Sequence, residues 1–325
     1  MNIKIKKTLQ PIIVKDKILF GFGNRNIERS INNTKKNRQV IRFLNCEVSR
    51  ENINISDTEL SSIIQTFRDK GLLTTNDYSD KDRYSRNKNF FEWIDKSNNV
   101  DPQNYQDRIV SSRVAVVGLG GVGANVTEQL VRVGVKNLIL VDFDDVDSSN
   151  ISRQSTYFEA DIGKPKNTVC AQYLKKINSE VNIELISNNI KDQKDVDDIY
   201  NKKPSLVINC ADKPLGIDIW FDKASTKYNV PVVFGSYAST TINTIAKVPD
   251  QTVNISDFLD QNAISPDTLI DCSFPAAVIA PATFMVAGMV SYYAVMILTR
   301  LRKIDKAVQI DMDGWDLLKY DISRK

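Results

Sequence analysis

From Arg113 onward the chain alternates short unbroken apolar runs with stretches of helical periodicity. Val114-Ala115-Val116-Val117, Leu138–Val141, Leu206–Ile208 and Val230–Phe234 lack the polar alternation of a half-solvated strand, so each predicts a strand covered on both faces. Helical patterns fill the intervals, and that alternation predicts an α/β domain with a mostly parallel sheet. A helix is expected over 281–301, and closing strands over 307–310 and 315–322. Residues 248–271 lack periodicity and are long for a loop, which marks a functional or mobile segment.

Residues 1–80 have a different texture. β-like runs at Ile3–Ile5 and Pro11–Phe20, the second split by Lys15-Asp16-Lys17, predict a hairpin. Helices are expected over Lys36–Leu44 and Ser56–Lys70. In the second, Ser56 and Glu59 have capping-box spacing, Leu60, Ile63, Ile64 and Phe67 keep one face apolar, and Gly71 ends the run. This order fits a small winged-helix-like α+β domain or a generic helical appendage. Residues 81–112 are polar and are expected to form a linker, carrying Arg83-Tyr84-Ser85-Arg86 and the cluster Phe90-Phe91-Glu92-Trp93, ahead of a large domain over 113–325.

Composition narrows the chemistry. The 325 residues, 42% hydrophobic and 26% charged, are ordinary for a globular chain. Lys plus Arg exceed Asp plus Glu by 43 − 40 = 3, so no nucleic-acid partner is implied. The absence of histidine excludes Ser-His-Asp and Cys-His catalysis and every His-ligated metal. Cys46, Cys170, Cys210 and Cys272 form no C-x-x-C pair, which argues against a zinc ribbon or a secreted disulfide framework and fits a cytoplasmic setting. Lysines interrupt every apolar run near the start, so no signal-peptide core is expected there. The charge-free stretch Cys272–Thr299 is long enough to span a bilayer. Pro275 and Pro281 break its first third, however, and Thr283, Gly288, Ser291, Tyr292 and Tyr293 dilute the rest, so a buried core or dimer-interface helix is expected and no membrane partner.

The chemistry-bearing residues gather around Gly118-Leu-Gly120-Gly121-Val-Gly123, which follows a strand and opens a helix. In that context backbone N–H groups and the helix N-terminus bind phosphate. Asp142 closes the next strand, where a carboxylate can accept from ribose hydroxyls. Alone, this pair fits a dinucleotide, ATP or a mere tight turn. Arg153 in Asn150-Ile-Ser-Arg153-Gln154 and Lys166 in Gly163-Lys-Pro-Lys166 favour a triphosphate, because cations there offset charge on a departing diphosphate. Asp212, at a strand's carboxyl end in Asn209-Cys-Ala-Asp212, is the candidate magnesium ligand. As isolated residues these would be solvated surface charges; their clustering with the glycine loop argues otherwise.

With those motifs, Val141-Asp-Phe-Asp144 and Ala280-Pro281 before a long helix, residues 81–320 resemble the Rossmann-like adenylating domain of the ubiquitin-activating superfamily, including the thiamine and molybdopterin sulfur-carrier adenylyltransferases. The resemblance implies ATP and Mg2+, with Asp142 toward the ribose, Asp144 among the cofactor-binding residues, Asn150, Arg153 and Lys166 on phosphates, and Asp212 on magnesium. It also implies that Arg86 reaches the γ-phosphate of a partner subunit, hence a homodimer. Within the superfamily the chain is most similar to enzymes that activate microcin C-type precursor peptides, through Arg83–Asn87 and Ala211–Pro214. Their N-terminal peptide clamp implies that residues 1–80 bind an extended leader peptide as an added strand. The superfamily's paired zinc-binding C-x-x-C motifs are absent, so no zinc is expected. Cys272 sits where some sulfur-carrier enzymes hold a reactive cysteine, with nothing but lysines nearby to lower its pKa. The expectation is an ATP-dependent adenylyltransferase that forms an acyl–AMP from a ribosomal peptide carboxylate. A sulfur-carrier-protein activator and a non-catalytic leader-binding scaffold are the rivals, and a dehydrogenase is more remote. The peptide, the carboxyl group and the choice of ATP over CTP stay open.

Overall fold

The computed structural model describes residues 3–79, 81–97, 101–260 and 277–324, and it divides into two compact units, Met1–Asp107 and Arg108–Lys325. In the first, strands β1 (Lys4–Ile5), β2 (Ile12–Val14), β3 (Lys17–Phe20) and β4 (Arg29–Asn32) precede helices α1 (Lys35–Leu44) and α2 (Asp57–Asp69), then β5 (Leu73–Thr74) and α3 (Ser85–Ile94). Helix α4 (Pro102–Ser111) carries the chain across the division. β2, β3 and β4 form an antiparallel sheet, with Lys15 and Asp16 as the hairpin turn, and β1 pairs with β5. Ile18, Phe20, Ile31, Val40, Phe67 and Leu72 make the core.

Ser56 caps α2 by accepting the Glu59 N–H at 3.3 Å, but Glu59 does not return the bond as a capping box would. Its carboxylate meets the Lys36 ammonium of α1 instead, a charged donor that competes well with a backbone amide. The expected linker over 81–112 holds two helices, α3 and α4. Phe91 and Ile94 share a buried face of α3, and polar groups that looked solvated are consumed inside the unit. Fully buried Glu92 accepts from Thr8 (2.7 Å), Thr74 (2.9 Å), Asn76 (3.2 Å) and Tyr78 (2.6 Å).

The second unit runs β6 (Arg113–Val117), α5 (Gly123–Val133), β7 (Asn137–Val141), α6 (Lys166–Ile177), β8 (Asn182–Ile186), α7 (Gln193–Asn201), β9 (Leu206–Asn209), α8 (Ile217–Tyr228), β10 (Val232–Ala238), β11 (Thr241–Lys247), α9 (Ile255–Asp260), α10 (Ala280–Thr299), β12 (Lys306–Asp311) and β13 (Asp316–Asp321). The eight-stranded sheet has the order β13-β12-β11-β10-β9-β6-β7-β8, parallel from β10 to β8 and antiparallel beyond β10. Alternate residues of β6 and β7, Ala115, Val117, Ile139 and Val141, bury against α7 and α8 through Val196, Ile199 and Phe221. Val114, Val116, Leu138 and Leu140, of the opposite parity, are buried too, as two-sided coverage requires. From β6 the chain proceeds outward to β7 and β8, then returns to β9 on the other side of β6. That reversal opens a crevice at the carboxyl ends of β6 and β9.

Helix α10 is long and apolar enough to cross a bilayer, yet it packs on β10, β11 and α5 with Thr283, Val286, Ala287, Val290 and Met296 buried. Its remaining face leaves Phe284 and Tyr292 exposed. Pro281 sits in its first turn, where a missing N–H costs nothing. Cys272 and Pro275 lie outside the described residues.

Candidate functional site

The loop between β6 and α5 is a glycine cradle whose two side chains, Leu119 and Val122, are buried away from solvent. Gly118 has φ of +79°, a conformation costly for other residues, and a Cβ there would stand 2.8 Å from Ala211 N. A Cβ on Gly123 would collide with the Gly118 carbonyl oxygen. The cradle is braced from its neighbours. Gly118 N–H donates to Val141 O at 2.8 Å, Tyr157 Oη to Leu119 O at 2.9 Å, and Leu119 N–H to Asp142 Oδ2 at 2.6 Å.

Asp142 is therefore first a scaffold. Its Oδ1 accepts the Asp144 N–H at 2.8 Å, its backbone carbonyl takes Asn167 Nδ2 at 3.1 Å, and burial pushes its pKa up despite those donors. Each carboxylate oxygen keeps further acceptor capacity for a ribose hydroxyl. Asp144, two residues on, has a half-exposed side chain and pairs with Lys166 Nζ at 3.0 Å. Lys166 opens α6, and its own side chain is only 9% exposed, so the ammonium is held in place at the crevice.

These groups line one cavity of about 310 Å3, with Gly118, Gly120, Asp142, Asp144, Lys166 and Asp212 all in its wall. Phe143, Asn188, Asn189, Ile190, Lys213 and Ile217 also line it, and none of these was assigned a role from sequence. Asn188–Ile190 follow β8, a half-exposed edge strand whose mixed polarity hid it, and Lys213 is a single lysine in a loop. Cys210 also lines the cavity, but burial pushes its thiol up to about 12, which makes it a poor nucleophile.

Gly121 and Gly123 belong to the glycine loop but not to the cavity wall, and the side chains of Asn150, Arg153 and Arg86 also stand elsewhere. Asn150 Oδ1 accepts the Asp147 N–H at 3.0 Å, so its side chain closes a local turn. Arg153 lies beside the glycine loop rather than in the cavity wall. Its Nη1 donates to Ser149 O at 2.8 Å, while its Nε is buried without a partner among the described residues. The Arg153 carbonyl accepts from Asn125 Nδ2 at 3.2 Å and Thr283 Oγ1 at 3.0 Å, and Asn125 also reaches Gly121 O at 2.8 Å. Asn125 and Thr283, both buried, thus fix Arg153 against the loop. Arg86 is an exposed residue in the first turn of α3, in the other unit.

With this geometry in place, the comparisons with known proteins are specific. Residues 84–322 match the ThiF family model, so the chain belongs to the ThiF family, whose members are ATP-dependent adenylyltransferases, and it is an enzyme of that class. It is 27% identical over 212 residues, 65% of this chain and 85% of the other, to the molybdopterin-synthase adenylyltransferase of Haemophilus influenzae. It is 40% identical over 108 residues, 33% of this chain and 37% of the other, to the SAMP-activating enzyme E1 of Haloferax volcanii. In fold it is similar to Escherichia coli MccB, solved with ATP and with AMPCPP plus MccA. The TM-score is 0.81 at 22% identity, covering 99% of this chain and 97% of that one.

Proposed function

We propose that the chain binds ATP in the crevice of β6 to β9 and uses it to adenylate a carboxylate of a ribosomally made precursor peptide. The observation that carries this reading is the single cavity uniting the glycine cradle, Asp142, Asp144, Lys166 and Asp212. Backbone N–H groups at the start of α5 suit phosphate oxygens, and Lys166 offsets charge that builds there. A carboxylate oxygen attacks the α-phosphorus, the bond to the bridging oxygen breaks, and pyrophosphate leaves with that electron pair. Asp212 is exposed, and the described residues contain no cluster of three metal-ligating side chains. This fits Mg2+, which is bound through one or two carboxylates together with substrate phosphates and water. When bound, Mg2+ supplies charge neutralisation at the phosphates, with Asp212 as its protein ligand.

The peptide assignment is supported by the N-terminal unit and by the neighbour described as the microcin C7 biosynthetic enzyme MccB in complex with N-formylated MccA. Outer strand β2 leaves Ile12, Ile13 and Val14 exposed at a sheet edge, a surface that accepts an extended peptide by strand addition. A homodimer, with Arg86 acting on the partner's triphosphate, belongs to the same reading. The three described cysteines, Cys46, Cys170 and Cys210, are free thiols, which fits a cytoplasmic setting. A likeness to the sulfur carrier protein ThiS adenylyltransferase of Bacillus subtilis favours a second reading, a small sulfur-carrier protein as the acyl donor. Incubation with Mg-ATP and a precursor peptide labelled with 18O in its carboxyl groups tests the first. Label in the AMP product supports it, whereas label transferred only from a Gly-Gly-terminated carrier protein establishes the second.

A further inference from the structure

The order of strands across the crevice gives an order of chemical groups. Asn188 and Asn189 follow β8, Asp142 and Asp144 follow β7, Gly118 and Gly120 follow β6, and Asp212 and Lys213 follow β9. Since β8, β7, β6 and β9 are successive neighbours, this is also the spatial sequence. A nucleotide laid across these strand ends with its ribose at β7 and its phosphates at the β6 cradle puts the far end of the triphosphate at β9. The β9 loop is held there, because Gly118 packs on Cys210 and Ala211 and Cys210 N–H donates to Val117 O at 2.8 Å.

The cavity wall carries two ammonium groups in unequal states. Lys166 is pinned to Asp144 at 3.0 Å. Lys213 is exposed and, among the described residues, has no hydrogen-bond or ion-pair partner. Its neighbour Asp212 is an anion facing the same cavity, so a lysine here balances charge at the end of the crevice where negative charge accumulates.

We propose that Lys213 is a substrate-binding residue for the β- and γ-phosphates of ATP, and therefore for the pyrophosphate that leaves. This rests on the nucleotide reading above and adds to it a cation supplied by the chain's own β9 loop. An ammonium at that end interacts with ATP and pyrophosphate and has nothing to hold on AMP, which stops at the cradle.

Calorimetric titration of the full-length chain with ATP, pyrophosphate and AMP, each with Mg2+, tests this. Loss of one charge-assisted contact predicts that Lys213→Ala weakens ATP and pyrophosphate by about tenfold. AMP should stay within about twofold, and Lys213→Arg should recover most of the ATP affinity. Equal weakening of ATP and AMP overturns the proposal by making the effect structural. Unchanged ATP and pyrophosphate binding also overturns it, and would leave Lys213 to the acyl side of the reaction. A wild-type chain that binds ATP no better than Lys166→Ala does would overturn the nucleotide reading itself, whatever Lys213→Ala does.

Discussion

Gly123 has no room for a side chain because the Gly118 carbonyl occupies the space a Cβ would take. Gly123→Ala must move backbone rather than a flexible side chain, so it should cost roughly 2–4 kcal/mol of stability and abolish nucleotide binding. Thermal unfolding and an ATP titration check the two effects together. Asp142 and Asp218 make a different residue-scale prediction. Burial raises both pKa values and outweighs the hydrogen bonds that oppose it, including the one Asn209 Nδ2 donates to Asp218 Oδ1 at 2.7 Å. A carboxyl whose folded pKa exceeds its unfolded value favours the fold when protonated. The stabilisation is complete below the ordinary carboxylate pKa and is lost as pH rises through the raised one. Tm should therefore carry a falling component just above the ordinary carboxylate range, and Asp218→Asn should flatten it. An unchanged Tm–pH curve in that variant contradicts the assignment.

Among the elements, α3 shows how a buried charge organises a segment. The carboxylate of Glu92 gathers donors from both ends of the N-terminal unit, at Thr8 and at Thr74, Asn76 and Tyr78. Lys6 is buried beside it, with Nζ donating to Asp95 O at 2.9 Å, and desolvation lowers its pKa to about 8. Glu92→Leu leaves four donors to compete for nothing and should cost about 3–5 kcal/mol, read as lost amide protection over residues 4–8 and 73–78. None of this was visible in the pattern Phe90-Phe91-Glu92-Trp93, because a glutamate's partners depend on which distant segments pack against it. The central strands were legible, since Val114–Val117 and Leu138–Val141 are apolar on both faces. β8 and β11 were not, because Asn182–Ile186 and Thr241–Lys247 mix polar and apolar residues at edges or half-covered positions. The site follows the same division. Gly118, Asp142, Lys166 and Asp212 announce themselves by motif, whereas Asn125, Asn188 and Lys213 matter only through where the sheet order brings them. Thr283→Val, which keeps the methyl packing on Gly121 but removes the bond to Arg153 O, should weaken ATP binding severalfold with little loss of stability.

At the scale of the whole molecule, one chain carries both the sheet edge proposed to take an extended peptide and the crevice proposed to take a triphosphate. Chemistry should then depend on the peptide while nucleotide binding does not. Exchange of radiolabelled pyrophosphate into ATP by the full-length chain, with and without the cognate precursor peptide, measures the reversible acyl–AMP step directly. The account predicts exchange only with the peptide present, and its loss in both Lys166→Ala and Asp212→Ala. Exchange that persists undiminished in those two variants would contradict it.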